Sequence, residues 1–367
     1  MSVSYGGDSI TFADGSVQSG GWIGMRNRII NGAMTIDQRS AGANTVVSSS
    51  APYTLDRFRV QCANQTGTMN VRQDSTAATG FVSSLRTIVT TANTSMPSTG
   101  VSRVFTALEG NAISDFGWGT ANAKTVTLSF WVRSSNTGTF SGSITNYAED
   151  RSYPFTYTIN SANTWEYETI TIPGDTSGTW PTGTAGSLQL NFDLGSGSTQ
   201  LGTANAWTGS WKLGVTGATS LMGVVGNNWY VTGIQLERGS TASSFEYRSY
   251  GAELALCQRY FTKSQTAGNA VGAGDGQNLI AWYAVTTSVI AGWASHKVSM
   301  RTQPTITIYR QDGTINATNR FIDGVNTTGT ATCPEPGIEG FRYVSNASSG
   351  FTVGTYYQFY YIASAEL

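Results

Sequence analysis

Short runs in which apolar and polar residues alternate, each closed by glycine, asparagine or serine, constrain this chain more than any single motif. In Thr54-Leu-Asp-Arg-Phe-Arg-Val60, apolar Leu55, Phe58 and Val60 are interleaved with Asp56, Arg57 and Arg59, which reads as one half-buried strand. Similar runs occupy residues 68–72, 84–89, 102–108, 125–132, 168–172, 187–192 and 229–236. About eight strands separated by turn residues predict an all-β chain whose main unit is a two-sheet sandwich, with a jelly roll as its form.

Composition supports this. Only 12% of the residues are charged and 43 are glycine. Long surface helices need Lys, Glu and Arg on their wet side, whereas this chain uses Thr, Ser and Asn, which suit strands and turns. A net charge of −1 with no Lys/Arg cluster argues against a nucleic-acid partner. The longest apolar run, Leu279-Ile-Ala-Trp-Tyr-Ala-Val285, is too short to span a membrane, and the first residues lack a signal-peptide pattern, so a soluble chain without membrane insertion is expected. Cys62, Cys257 and Cys333 have no metal-ligand spacing and are expected to be reduced thiols; no cofactor or metal is implied.

The pattern divides the chain into four parts. Residues 1–25 carry turn chemistry around one short strand at 9–12 and bury too little to fold alone. Residues 26–250 form the sandwich. A helix over 251–261 links the units, with Leu254, Cys257 and Phe261 at helical spacing and Glu253 and Arg259 on its wet side. After a glycine-rich turn at 267–276, residues 262–367 form a second β-sandwich unit, with strands expected at 279–290, 297–300, 305–309, 340–344 and 355–362. The last of these is apolar or aromatic on both faces and must be covered on both, by a second sheet or by a neighbouring chain.

Several motifs stand in a recognisable order: Asn27-Arg-Ile-Ile-Asn-Gly-Ala-Met-Thr-Ile-Asp-Gln-Arg39, Tyr53-Thr-Leu-Asp-Arg-Phe58, the run from Trp118 to Val132, Trp165-Glu-Tyr-Glu-Thr-Ile-Thr-Ile172, Gly233-Ile-Gln-Leu-Glu-Arg-Gly239, Phe245-Glu-Tyr-Arg-Ser-Tyr250 and Glu253-Leu-Ala-Leu-Cys-Gln-Arg-Tyr260. Together they resemble bacteriophage tail or head fibre proteins with a jelly-roll domain like those of carbohydrate-binding modules. The resemblance spans residues 9–260 and leaves the C-terminal third untouched. It implies a homotrimeric virion protein, attached to other virion proteins through residues 1–25, that binds host-surface glycan. A head, neck or capsid-decoration protein without a primary receptor role is the alternative, and a polysaccharide depolymerase the less favoured one.

The residues themselves restrict chemistry. The single histidine, His296, lacks a nucleophile-elbow sequence nearby and is given no role. Glycan cleavage needs two facing carboxylates; Glu109, Asp115, Glu149, Asp150, Glu166 and Glu168 exist, but no motif pairs them, so a non-enzymatic protein is expected. Sugar binding needs aromatic faces beside short polar side chains. Trp180, in a Gly/Thr/Pro loop, is the leading exposed platform, followed by Trp207 and Tyr153; Tyr309 and Tyr343 offer the same chemistry in the C-terminal unit. Trp131 and Trp229, inside strands, are read as packing residues.

Overall fold

A computed structural model describes residues 25–270, 278–327 and 329–367, together with three short N-terminal strands, Ser4–Gly6, Ser9–Thr11 and Val17–Ser19, which pair antiparallel. Apart from those strands, the turns expected in the first 24 residues lie outside the described residues, as does 271–276 of the glycine-rich turn.

Two six-stranded antiparallel sheets form the sandwich. The first runs, in order, Glu166–Ile172, Val126–Ser134, Asn228–Arg238, Ser84–Thr91, Thr68–Asp74 and Thr45–Val47. The second runs Ser152–Ile159, Gly138–Asn146, Gly186–Asp193, Val101–Glu109, Phe58–Ala63 and Tyr53–Leu55. Alternate side chains from both meet in one core, in which Val71, Leu85, Leu128, Phe130, Val132, Ile144, Phe155, Leu190 and Trp229 are buried. Trp229 is core as expected, and its indole Nε1 donates to the Tyr157 hydroxyl at 3.1 Å, so the buried N–H is satisfied.

The sandwich departs from the expected strands at identifiable places. The run 54–60 is two strands, Tyr53–Leu55 and Phe58–Ala63, because the chain reverses at Asp56-Arg57, where Arg57 adopts φ +67°. The reversal explains why Leu55 and Phe58 both reach the core despite their odd spacing. Gly138–Asn146 and Ser152–Ile159 are full strands that periodicity did not single out. The first is rich in glycine and serine, and at Gly142 a Cβ would lie 2.4 Å from the Asn191 carbonyl oxygen, so the neighbouring strand and Phe155 fit only against a bare backbone.

The helix spans Tyr250–Gln258, capped by the Ser249 hydroxyl, which accepts from Ala252 N at 3.4 Å; Phe261 then opens a strand rather than completing the helix. Glu253, expected on the wet side, is buried instead: its carboxylate accepts from Asn31 N and pairs with Arg248 at 3.3 Å. Arg259 grips Glu109 of the sandwich at 3.0 and 3.1 Å.

Beyond the helix, Tyr356–Ser364 is the organising strand. Its N-terminal half pairs with Ile280–Thr286 and Asn319–Arg320, its C-terminal half with Phe261–Lys263 and Thr305–Tyr309. Tyr357, Phe359, Tyr360 and Tyr361 are buried, so from Tyr357 to Tyr361 both faces of this strand are covered within the chain, while Tyr356 is exposed. Val289–Ser295, Gly340–Asn346 and Ala331–Thr332 complete the sheet. The run 279–290 is a hairpin rather than one strand, and 297–300 is not a strand. The last residues return to the sandwich, where the Glu366 carboxylate lies between Arg39, at 2.5 Å, and Arg57. All three cysteines are free, as expected.

Candidate functional site

Strand alternation turns Leu128, Phe130 and Val132 inward and therefore Trp131 outward. Trp131, expected to be core, is half-buried on the outer surface of the first sheet. Its antiparallel register partner is Tyr167, which is 45% exposed, and the two rings lie 5.3 Å apart at 45°. A cross-strand aromatic pair on a solvent-facing sheet is held in place by the backbone ladder itself.

A second aromatic wall faces this pair. Phe81, Phe245 and Tyr247 pack on one another with centroids 5.0–5.5 Å apart. Phe81 can lie over the sheet because position 233 is glycine: its φ is +62°, and a Cβ there would sit 2.6 Å from the Phe81 ring. The segment carrying Phe245 and Tyr247 is tied to the strand beneath it. The Glu237 carboxylate accepts from Ser243 N at 2.8 Å and Ser243 Oγ at 2.6 Å, and Gln235 Oε1 accepts from Glu246 N at 2.8 Å. The Tyr247 hydroxyl donates to Gly80 O at 3.1 Å.

Between the walls runs a groove of 480 Å³. Ser129 and Gly233 line it together with Thr79, Ser243 and Ser244, and no charged side chain does so among the described residues. Aromatic faces on two sides with hydroxyls between them can stack on the apolar face of a sugar ring and hydrogen-bond its hydroxyls.

The residues singled out in the sequence fall elsewhere. Trp180, Trp207 and Tyr153 do come together, but as a plug at one end of the sandwich. Trp180 is only 7% exposed, its Nε1 donates to Ser177 O at 3.1 Å, and its ring packs against Trp118 at 4.7 Å and Trp207 at 5.8 Å. Trp207 is half-buried, donates to Pro173 O at 2.8 Å and contacts Tyr153 at 5.3 Å; Tyr153 is buried. Arg151, held by Asp175 at 2.6 and 2.8 Å, lies 5.9 Å from the Trp207 ring. Trp180 thus presents no open platform: a loop in sequence here is folded onto the core. In the C-terminal unit Tyr309 is buried and Tyr343 half-buried, so the five residues form no common site.

Five of the six candidate carboxylates are committed to local partners. Glu109 holds Arg259, Asp115 pairs with Arg28 at 2.8 Å, and Glu149 lies 3.6 Å from Arg103. Asp150 accepts from Asn146 Nδ2 at 2.6 Å, and Glu166 accepts from Asn160 N and Ser161 N. Glu168 is pushed up to about 6 by burial and by neighbouring Glu166. His296 is buried between Phe341 and Tyr361, and its Nε2 lies 3.1 Å from Gly337 O.

No protein-family model matches the sequence, and no curated protein matches it. Among solved structures the chain is similar in part to the enzymatically active domain of tailspike protein 4 of bacteriophage CBA120, at 14% identity and a TM-score of 0.29 over 58% of this chain and 22% of that one. It is similar to a family 61 carbohydrate-binding module in complex with β-1,4-galactotriose, at 11% identity and a TM-score of 0.28 over 58% of this chain and 99% of the module. A family 11 carbohydrate-binding module from Clostridium thermocellum, in complex with a β-1,3-1,4-mixed-linked tetrasaccharide, aligns at 13% identity and a TM-score of 0.27 over 55% and 99%.

Proposed function

We propose that this chain is a non-enzymatic glycan-binding protein of a bacteriophage virion, with its saccharide site in the groove between Trp131–Tyr167 and Phe81–Phe245–Tyr247. The observation that carries the reading is that groove: two aromatic walls fixed by sheet register and by the Glu237–Ser243 clasp, with uncharged hydroxyls between them. Such a site suits a neutral saccharide, because stacking and neutral hydrogen bonds replace water without an ion to desolvate.

The virion setting rests on the ordered sequence motifs. In a fibre the protein acts as a homotrimer, and three weak sites on one particle give strong attachment because each further contact forms at high effective concentration. Exposed Tyr283, Val285, Trp293 and Tyr356 of the C-terminal sheet support self-association, since a single chain leaves these large apolar side chains in water. Light scattering on the purified chain tests the trimer, and labelled virions imaged by electron microscopy separate a tail position, which fits receptor binding, from a capsid or neck position, which fits decoration. Glycan-array binding with and without Trp131→Ala tests the site.

A further inference from the structure

The outer face of the second sheet carries a different chemistry from the groove. Arg103 projects from the centre of that sheet and is only 5% exposed. Its Nε donates to Gln61 Oε1 at 2.8 Å, and its Nη1 donates to Asn191 Oδ1 at 2.9 Å and Gln189 Oε1 at 3.4 Å. Those partners are neutral. The acid within ion-pair reach is Glu149, at 3.6 Å and partly exposed at the rim. Asp193, the register partner of Arg103, turns its carboxylate to Ser141, Gly195 and Ser196 instead.

A second guanidinium shares the face. Arg59 and Arg103 both lie against the Phe105 ring, 5.0 and 4.0 Å from its centroid. Arg59 is half-buried and donates through Nε to Ala51 O at 2.7 Å, while its Nη groups have no hydrogen-bond or ion-pair partner among the described residues. Trp211 stands 5.3 Å from the Arg103 guanidinium, and its buried indole Nε1 has no hydrogen-bond partner among the described residues. Burial lowers the Arg103 pKa to about 10, with Glu149 opposing and Arg59 reinforcing the shift.

We propose that this face is a second saccharide subsite that takes the carboxylate of an acidic sugar between Arg59 and Arg103, with Trp211 at its edge. The proposal rests on the glycan-binding reading and extends it to a second ligand class. Guanidinium groups match carboxylates in geometry: the Nη groups of Arg59 supply the donors, and Arg103, whose Nε and Nη1 are held by the amides of Gln61, Gln189 and Asn191, adds its charge beside them.

The test is calorimetric titration of the full chain with tri-galacturonic acid and with its methyl ester, using wild type, Arg59→Gln and Trp131→Ala. Arg59 is partly exposed, so Arg59→Gln is expected to fold, which its thermal midpoint checks. The proposal expects about tenfold weaker binding of the ester than of the acid, a similar loss in Arg59→Gln, and unchanged acid affinity in Trp131→Ala. Equal binding of acid and ester, lost in Trp131→Ala, overturns this subsite while leaving the groove reading intact. Binding of neither compound, or an Arg59→Gln variant that binds like wild type, also overturns it.

Discussion

Trp131 and Tyr167 are register partners on adjacent antiparallel strands, with their rings 5.3 Å apart on the solvent side of a sheet whose other side is solid core. Side chains that the fold does not need for its core are thus held in one geometry by it. That combination of rigidity and exposure is what a stacking platform requires.

Gly233 sets the opposite wall. Its left-handed backbone and the ring of Phe81 above it leave no room for a side chain. Gly233→Ala is expected to destabilise the protein by about 1–2 kcal/mol and to displace Phe81, weakening saccharide binding as well. Urea unfolding and calorimetry on the same variant check both effects.

The Glu366 clasp couples the end of the chain to the sandwich. Its carboxylate is buried between Arg39 and Arg57, and the Arg57 guanidinium also lies 3.5 Å from the centre of the Tyr260 ring. Glu366→Ala leaves two poorly hydrated cations without their anion and is expected to cost about 3–5 kcal/mol. Denaturant midpoints of wild type and variant measure it; a change below about 1 kcal/mol contradicts a buried, structural ion pair.

Asp56 gives the stability a pH signature. Burial pushes its carboxyl up to about 6, with Arg39 and the Gln38 hydrogen bonds opposing. A raised folded pKa means that the native state holds this proton more tightly than the unfolded chain. The contribution is therefore fully present below about pH 4 and lost as pH rises through about 6. The stability difference between wild type and Asp56→Asn is expected to fall by about 2–3 kcal/mol between pH 4 and pH 7, read from unfolding midpoints along a pH series.

Much of this fold is legible in the sequence because period-two alternation is written wherever one strand face is core and the other wet. It fails where small residues form the strand, as in Gly138–Asn146, and where a turn interrupts a run without glycine, as at Asp56-Arg57. The site was harder to read. Trp131 sits in an apolar run, yet its parity is opposite to that of Leu128, Phe130 and Val132, and that signal alone places it outward. Trp180 illustrates the reverse: loop composition says nothing about a loop that folds back onto other tryptophans. The Phe81–Tyr247 wall joins segments more than 160 residues apart, which no local pattern reveals.

The most direct test of the central claim is calorimetric titration of the intact protein with the neutral oligosaccharide that ranks highest on a glycan array, repeated with Trp131→Ala and Tyr167→Ala. The groove reading expects each variant to keep its thermal midpoint within a few degrees and to lose at least about tenfold in affinity. Wild-type affinity in both variants would contradict it and move the saccharide site off this sheet.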